Sequence, residues 1–311
     1  MCKVNEDVSE FISELYADGY KYREIVKALH ESLGIDVSED TVRFHAVRKD
    51  KPKYSTVEKL LQQGITKKLI ISDLHIPYNL DTVFDIVSLH AEEIDEIIFN
   101  GDIIDCEEIS TFTSVGSHSL MYEMTAVHGV LKKIDSLTPG VKKTLVLGNH
   151  EKRWERYLAK QNTSFNGLHS TNILREIVEG FTDHNFEFGT ETKYIPLENY
   201  TIVNDWYTKI NDIICCHPIS FSKIKGRVAT MAVDYFIQNG DEFNAIVVAH
   251  THKQAVVKQY DKISIEQGCL CQTMKYSKDG KLNYTPQDCG YVLATFVDGN
   301  FDMNQSRVYM L

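Results

Sequence analysis

The sequence has no apolar run that approaches the roughly 20 residues a membrane-spanning helix needs. Its first seven residues, MCKVNED, lack the apolar core of a secretion signal. These absences argue against a membrane-spanning or secreted protein, and we expect a cytoplasmic one. With 311 residues, 43% of them hydrophobic and 25% charged, the chain is long enough for one large domain plus a small module.

Cysteine occurs without the spacing of a zinc site, because no Cys-x-x-Cys pair is present. The seven cysteines are odd in number, and Cys215 and Cys216 stand inside an apolar run, which is typical of free thiols in a reducing compartment. Cys269 and Cys271 are separated by one residue, which is the wrong spacing for a zinc knuckle. We interpret that pair as structural.

The chain has fewer basic than acidic residues: 33 Lys and Arg against 44 Asp and Glu, which gives a formal net charge of -11. This balance argues against a broad basic surface of the kind that binds duplex nucleic acid without sequence preference. It leaves room for a local basic site. Clustered carboxylates that bind metal ions would also add negative charge, which the bound cations would offset.

Five short apolar runs each end in residue types that bind metal ions. The runs are residues 69–71 before Ser72-Asp73-Leu74-His75, 97–99 before Asn100-Gly101-Asp102-Ile103-Ile104-Asp105, 144–147 before Gly148-Asn149-His150, 213–216 before His217, and 245–248 before Ala249-His250-Thr251-His252. Continuous apolar runs are typical of strands buried on both faces, and ligand sites collect at the carboxyl ends of such strands. One histidine at a strand end is usually structural, but five such ends together predict a site.

The spacing within these ends supports a metal site. Residues i and i+2 of a strand point to the same side, so Asp73 and His75 can converge on one point, as can His250 and His252. Carboxylate, imidazole and amide oxygen form a mixed donor set that suits Mn, Fe, Zn or similar divalent ions.

Amphipathic segments alternate with the first three runs, which predicts the order strand, helix, strand, helix, strand. Residues after 253 contain further β-like segments, so we expect a second sheet to pack on the first. The predicted fold class is α/β, as a four-layer α+β arrangement of two mixed sheets packed as a sandwich and flanked by helices, over residues 67–311. Residues 151–212 are interpreted as an insertion that shapes substrate access or, equally well, as a solvated packing layer.

Residues 1–50 are predicted to form a separate module of three short helices, because apolar side chains recur at helical spacing and Gly34 ends the second helix. The second and third helices, with basic side chains on the third, resemble a helix-turn-helix of phage and bacterial DNA-binding modules. Acidic residues outnumber Lys and Arg here, so a protein partner is as well supported as DNA. Residues 51–66 are expected to be a linker with a bridging helix.

The five strand ends resemble the motifs of the calcineurin-like metallophosphoesterases in order and in residue type. In this sequence they are Asp73-x-His75, Gly101-Asp102-x-x-Asp105, Gly148-Asn149-His150-Glu151, His217 and Ala249-His250-x-His252. The resemblance extends from about residue 67 to the C-terminus. A chain that joins these motifs to a helix-turn-helix-like module resembles phage or prophage proteins that process nucleic acids. We therefore expect the protein in the cytoplasm of a bacterial or phage-infected cell.

The resemblance implies two divalent metal ions, with Mn expected first and Fe, Zn, Ni or Mg as alternatives. One ion would be bound by Asp73, His75, Asp102 and His252, and the other by Asp102, Asn149, His217 and His250. Asp102 would bridge them. The ions would activate a hydroxide, and His150 would protonate the leaving oxygen or stabilise the transition state. Asp105 would orient His150 or a ligand.

Arg153 stands where some family members place an arginine that binds phosphate, although a surface salt bridge is an equal alternative. Two positions depart from the family pattern. Ala249 replaces the usual glycine, which should be tolerated if the backbone angles suit an L-residue. Cys106 and Glu107 replace the Arg-Gly of the protein phosphatases, which counts against Ser/Thr protein phosphatase activity. The remaining histidines are interpreted as structural, with His118 and His184 as the foremost exceptions.

Three functions are compatible with these residues. The first is a phosphodiesterase or nuclease that acts on nucleic acid or nucleotides, with residues 1–50 binding DNA or a protein partner. The second is a phosphomonoesterase acting on proteins or small metabolites, which Arg153 and the acidic net charge favour. The third is an inactive DNA-binding regulator, in which the metal ligands would be expected to have been lost. All of them are present in this sequence.

Overall fold

The computed structural model describes residues 8, 12, 15–16, 19–39, 41–43, 64–111, 116–161, 169–185, 187–274 and 286–311. The chain divides into two compact units, Met1–Gln63 and Gly64–Leu311, which are described separately. The described helices are α1 Tyr22–Leu33, α2 Thr82–His90, α3 Leu120–Leu137, α4 Glu151–Lys160, α5 Ile173–Glu179 and α6 Arg227–Gln238. None of them combines the length and apolar character that crossing a bilayer requires.

The strands all lie in the second unit and are numbered in chain order. They are β1 Ile65–Ile71, β2 Glu96–Asn100, β3 Lys142–Val146, β4 Phe181–Asn185, β5 Thr190–Tyr194, β6 Tyr200–Val203, β7 Tyr207–Ile210, β8 Ile213–Cys216, β9 Ala245–Val248, β10 Gln254–Gln259, β11 Lys262–Gln267, β12 Gly290–Val297, β13 Asn300–Phe301 and β14 Arg307–Met310. The first strand therefore begins two residues before the predicted start of the catalytic domain.

In the first unit, α1 confirms the second predicted helix. It ends at Gly34, whose left-handed φ of 64° suits a residue without a side chain. Its buried residues Ile25 and Leu29 pack in a small apolar cluster with Val8, Ile12 and Val42. Most of the third predicted helix, and residues 51–63 of the predicted linker, lie outside the described residues. A helix-turn-helix over residues 1–50 stays a prediction.

The second unit contains two mixed sheets. Seven strands form the main sheet in the order β13-β12-β1-β2-β3-β6, with β14 also paired to β12. In it, β1, β2, β3 and β6 run parallel, and β12 is antiparallel to β1. Five strands form the second sheet in the order β10-β11-β9-β8-β7, in which β8, β9 and β11 run parallel. The strands β4 and β5 form a separate hairpin.

The two sheets pack face to face because successive side chains of each strand point to opposite sides. Ile70 of β1 lies in the apolar core between the sheets with Val247 of β9. Leu69, its neighbour, packs beneath α2, α3 and α5, which cover the outer face of the main sheet. The outer face of the second sheet packs against α6 through residues such as Phe236. The predicted four-layer α/β sandwich is confirmed.

The segment 151–212 is only in part an insertion, which corrects the sequence-based prediction. Its first part contains α4, α5 and the β4–β5 hairpin, but its last two strands belong to the sandwich. β6 pairs with β3 in the main sheet, and β7 pairs with β8 in the second. Both strands have four residues and only one fully buried position between them, so their sequences lack the apolar run that marks the other core strands.

The start of α6 is tied to the second sheet by one buried carboxylate. Glu266 of β11 accepts hydrogen bonds from the backbone N–H groups of Gly226 and Val228 at 2.9 and 3.0 Å. These are groups that a helix leaves without partners at its amino end. The bonds therefore fix the position of α6 against β11.

We predict that Glu266→Gln destabilises the second unit, because an amide nitrogen cannot accept a hydrogen bond and at least one buried N–H loses its partner. The free energy of unfolding should fall by about 1–3 kcal/mol, measured by urea unfolding. Glu242→Gln is the matched control, since Glu242 is exposed and its replacement should cost under about 0.5 kcal/mol. Equal stability of both variants would contradict this role.

Candidate metal centre

The structure brings the seven predicted metal ligands together at the carboxyl ends of five parallel strands from both sheets. Asp73 and His75 follow β1, Asp102 follows β2, Asn149 follows β3, His217 follows β8, and His250 and His252 follow β9. Most of these side chains are buried, and those of Asn149 and His250 are partly buried. The convergence follows from the parallel topology, which places these strand ends at one edge of the sandwich.

Five of these residues adopt a left-handed backbone conformation that non-glycine residues rarely take: Asp73, His75, Asp102, His250 and His252 have φ values between 45° and 77°. Such strained positions cluster at functional sites, where surrounding structure must hold them. Here the loops after β1 and β2 hold one another, since Asp73 N–H donates to Gly101 O and His75 N–H donates to Asp102 O. Ala249 has no positive φ, so its side chain fits where the family usually has glycine.

Two glycines allow the ligands to approach one another. A Cβ on Gly148 would lie 2.1 Å from Asp102 Oδ1, and a Cβ on Gly101 would lie 2.3 Å from the His217 ring. Both distances are far below van der Waals contact. Glycine is therefore required at positions 101 and 148 for Asp102 and His217 to lie this close to the neighbouring loops.

The first group of predicted ligands directs its donor atoms at one point. His75 Nε2 lies 3.1 Å from His252 Nε2, and His252 Nε2 lies 3.2 Å from Asp73 Oδ1. Asp102 Oδ2 lies 3.8 Å from His75 Nε2. Two imidazole nitrogens and two carboxylate oxygens so arranged are a suitable donor set for a divalent cation.

The second group shares Asp102 with the first. His217 Nε2 lies 3.1 Å from Asp102 Oδ2, and the ring of His250 faces that of His217 at a centroid distance of 5.3 Å. His217 Nδ1 lies 2.8 Å from the carbonyl oxygen of Asn100, which can only accept. The Nδ1 atom therefore carries a hydrogen, and in the neutral imidazole the lone pair of Nε2 points at the site.

Electrostatics favour positive charge at the junction of Asp102 and His217. Burial alone would lower the pKa of His217, but the Asp102 carboxylate outweighs burial and raises this pKa to about 10. Burial and the neighbouring His217 lower the pKa of His250 to about 4. A cation bound between Asp102 and His217 would replace the proton on His217 Nε2 and would meet a carboxylate oxygen and the imidazole lone pair so freed.

Unsatisfied buried atoms provide an independent test of this fit. Among the described residues, Asp73 Oδ1, Asn149 Oδ1 and His217 Nε2 are buried and have no aligned hydrogen-bond partner. Buried polar atoms in folded proteins almost always have a partner, because leaving one unpaired costs free energy. Metal ions bound by the two groups would satisfy all three atoms, so these residues fit a dinuclear centre.

His150 lies at the edge of this centre, and its ring is held by its neighbours. Its Nδ1 atom lies 2.7 Å from the carbonyl oxygen of Asp105 and 3.0 Å from Asp105 Oδ1. The same carboxylate oxygen lies 2.9 Å from Nδ1 of His75. Asp105 therefore contacts both His150 and a predicted ligand, as the sequence indicated that it should contact one of them.

Arg153 contacts the site and not a surface carboxylate. Its guanidinium donates to the carbonyl oxygen of Asp105 at 2.8 Å and lies 3.0 Å from His150 Nε2. Because a guanidinium only donates, His150 Nε2 is the acceptor in this arrangement. Arg153 is partly buried, so the alternative of a surface salt bridge does not describe its contacts.

Glu151 has a role that sequence analysis missed, although it stands in the quoted motif. Its buried carboxylate accepts hydrogen bonds from the backbone N–H groups of Asp102, Ile103, Ile104 and Gly148 at 2.7–3.2 Å. The loops after β2 and β3 are joined by these bonds. In the sequence, this role is indicated by the acidic residue at the end of the Gly148-Asn149-His150-Glu151 motif.

Two further residues beside His252 were also missed. Gln287 Nε2 lies 2.6 Å from His252 Nδ1, and Cys271 has its thiol near the ring nitrogens of His252 and His75. Cys271, which was interpreted as structural, thus borders the centre. Among the other histidines, His184 pairs with Glu191 across the β4–β5 hairpin, which is a structural contact.

Comparison with known proteins agrees with this geometry. Residues 66–254 match the family model of the calcineurin-like phosphoesterases. The chain belongs to this family. As a calcineurin-like phosphoesterase it is a phosphoester hydrolase, and its family uses divalent metal ions. No curated protein sequence matches this calcineurin-like phosphoesterase significantly.

Several solved structures are similar to this calcineurin-like phosphoesterase at low identity. An archaeal phosphodiesterase is 14% identical, covers 79% of this chain and 100% of its own, and has a TM-score of 0.39. Vacuolar protein sorting 29 from Cryptosporidium parvum is 13% identical, with 79% and 97% covered and a TM-score of 0.38. A predicted phosphoesterase from Streptococcus pneumoniae TIGR4 is 11% identical, with 79% and 98% covered and a TM-score of 0.30.

We predict that Asp102→Asn and His150→Ala each lower turnover of a phosphate ester by about 100-fold or more, but that only Asp102→Asn loses bound metal. Asp102 lies in both groups of ligands, whereas His150 contacts Asp105 and Arg153 at the edge. Metal content after dialysis, measured by mass spectrometry of the purified protein, separates the two roles. Equal metal loss in the two variants would show that His150 is itself a ligand.

Proposed function

We propose that this protein is a phosphodiesterase that hydrolyses nucleic acids or nucleotides with two divalent metal ions, with Mn as the first candidate. The observation that carries the proposal is the convergence of seven carboxylate, amide and imidazole side chains around Asp102, three of whose atoms are buried without an aligned hydrogen-bond partner. Asp73, His75, Asp102 and His252 would hold one ion. Asp102, Asn149, His217 and His250 would hold the other.

The residues around His150 would act on the phosphate. Divalent ions bound at the centre would activate water and neutralise charge on the phosphoryl group. Asp105 holds His150 through Nδ1 at the edge of the ligand groups, and His150 Nε2 accepts from Arg153 in this arrangement. With Nε2 protonated and Arg153 turned to a phosphoryl oxygen, His150 would donate a hydrogen bond to the leaving oxygen and the Arg153 guanidinium would bind the phosphate.

Two observations favour nucleic acid or nucleotide substrates. Residues 1–50 resemble a DNA-binding module, and α1 with its apolar cluster belongs to a compact unit of its own. Cys106 and Glu107 occupy the position of the Arg-Gly of protein phosphatases. We place this activity in a cytoplasm, that of a bacterial or phage-infected cell, since all six cysteines among the described residues are free.

A phosphomonoesterase acting on proteins or small metabolites is the second candidate. The position of Arg153 beside His150 favours it, because an arginine that grips a terminal phosphate assists monoester hydrolysis. The net charge of -11 also agrees with a small substrate better than with a long polyanion.

We predict that the Mn²⁺-loaded protein cleaves an aryl phosphodiester and single-stranded DNA or RNA, and that Asp102→Asn does not. The panel includes an aryl monoester, an aryl diester, 2′,3′-cyclic nucleotides and end-labelled single- and double-stranded DNA and RNA. Product analysis on gels separates internal from terminal cleavage. Turnover of monoesters alone would overturn the proposal in favour of the phosphomonoesterase.

We also predict that removal of residues 1–50 leaves aryl diester hydrolysis within about two-fold of the full chain, because every proposed catalytic residue lies in the second unit. If the module binds DNA, the truncated protein should bind a labelled duplex more weakly and with a smaller salt dependence. If the truncated protein loses both its aryl diester hydrolysis and its bound metal, residues 1–50 are instead part of the catalytic domain.

A further inference from the structure

A cavity of about 400 Å³ lies next to the chain segments that carry the metal centre. Its lining includes Pro218 and Ile219, which directly follow His217, and Lys152, which is two residues after His150. Its remaining wall comes from Trp206 and from the face of α6 that carries Met231 and Tyr235. The volume is within the range of small-molecule sites, which is about 300–1,000 Å³.

The aromatic wall is fixed to the metal centre. The backbone N–H of His217 donates to the carbonyl oxygen of Trp206 at 2.7 Å. The Trp206 ring stacks on buried Phe236 with a centroid distance of 5.5 Å and an interplanar angle of 29°. It also meets the edge of Tyr235 at 5.6 Å. The backbone of Trp206 is therefore joined to the strand end that presents His217, while its indole is held by α6.

The cavity is rimmed by large apolar side chains that water reaches. Ile219 is 67% exposed, Tyr235 49% and Met231 41%. Contiguous exposed apolar groups around a concave surface mark binding sites more often than packing. A planar ring that enters the cavity would cover these groups and contact the Trp206 indole.

Lys152 adds a positive charge to this apolar lining. It lies in the first turn of α4, and no hydrogen bond or ion pair joins it to another described residue. Its neighbour Glu151 is fully committed to the backbone around Asp102. The Lys152 ammonium group is therefore available to an anionic group of a substrate that also reaches the metal centre.

We propose that this cavity binds the base of a nucleotide whose phosphate lies at the metal centre, with Trp206 and Tyr235 contacting the base and Lys152 contacting an adjacent phosphate. The proposal rests on the proposed function and specifies its substrate. A cavity of about 400 Å³ admits one unstacked base. The preferred substrates are accordingly small nucleotide esters or single strands, because a base inside an intact duplex cannot enter.

The decisive experiment measures binding, not turnover. Trp154 and Trp206 are the two tryptophans of the chain, so the full-length Trp154→Phe protein reports on Trp206 alone by fluorescence. With the metal-loaded protein, adenosine 5′-monophosphate should quench this fluorescence and bind about 10-fold or more tightly than ribose 5-phosphate, which has the same phosphate and no base. Equal affinities without quenching would overturn the proposal. Tighter binding of phosphotyrosine than of the nucleotide would also overturn it.

Two variants with matched controls locate the effect. Tyr235→Ala should lower the preference for the nucleotide over ribose 5-phosphate about five-fold, while Ile237→Ala, an exposed truncation on the same helix, should leave the preference unchanged. Lys152→Met should weaken binding of a dinucleotide about five-fold, and Lys160→Met at the other end of α4 should not. A preference that none of these variants alters would place base recognition elsewhere and overturn the assignment.

A failure of the base-site proposal can be distinguished from a failure of the proposed function. Failure of the proposed function appears as absence of diester turnover in the substrate panel. Failure of the base site appears as equal binding of the nucleotide and ribose 5-phosphate, whether or not diesters are cleaved.

Discussion

The buried carboxylate of Asp102 is the constraint on which the rest of the site depends. One of its oxygens accepts the backbone N–H of His150, and the other lies 3.1–3.8 Å from ring nitrogens of His217, His75 and His150. A carboxylate removed from water is costly unless charge and hydrogen bonds compensate it. The surrounding histidines supply that compensation, and they hold the pKa of Asp102 well below its usual range although burial opposes this.

Glu151 stabilises the loop that carries Asp102. It binds backbone N–H groups on both loops that meet at the site, so the loop after β2 cannot relax the strained backbone of Asp102 independently of the loop after β3. Burial and the nearby Asp102 carboxylate raise the pKa of Glu151, while the N–H groups stabilise its charge. Hydrogen bonds to Glu151 thus hold the two loops that carry Asp102 and Asn149, and such support reduces the reorganisation that metal binding must overcome.

Hydrogen bonds from neighbouring elements hold the segment after Asp105 in place. Glu123 of α3 accepts the backbone N–H groups of Cys106 and Glu107, and the Tyr78 hydroxyl donates to Glu107 at 2.6 Å. Cys106 itself has a left-handed φ of 52°. These contacts fix the carbonyl oxygen of Asp105, which in turn orients His150 and Arg153. Arg153 reaches the same carbonyl oxygen from α4 and donates to it at 2.8 Å.

The sequence alone determined the features that depend on local pattern. The apolar runs of β1, β2, β3, β8 and β9 predicted the core strands, and the residues that follow each run predicted the ligands, because a parallel sheet gathers such strand ends at one edge. The second sheet was predicted from the β-like segments after residue 253, and the four-layer arrangement was implied by the family resemblance.

Only the tertiary structure decided the contacts between distant parts of the chain. Gln287 contacts His252, 35 positions away, and the backbone of Trp206 bonds to that of His217. The short strands β6 and β7 extend the two sheets within residues 151–212, which the sequence predicts to be an insertion or a solvated packing layer. Periodicity reports which face of an element a side chain occupies, but it carries no information about which other element will cover that face. The cavity lined by Trp206 and α6 was set by that packing.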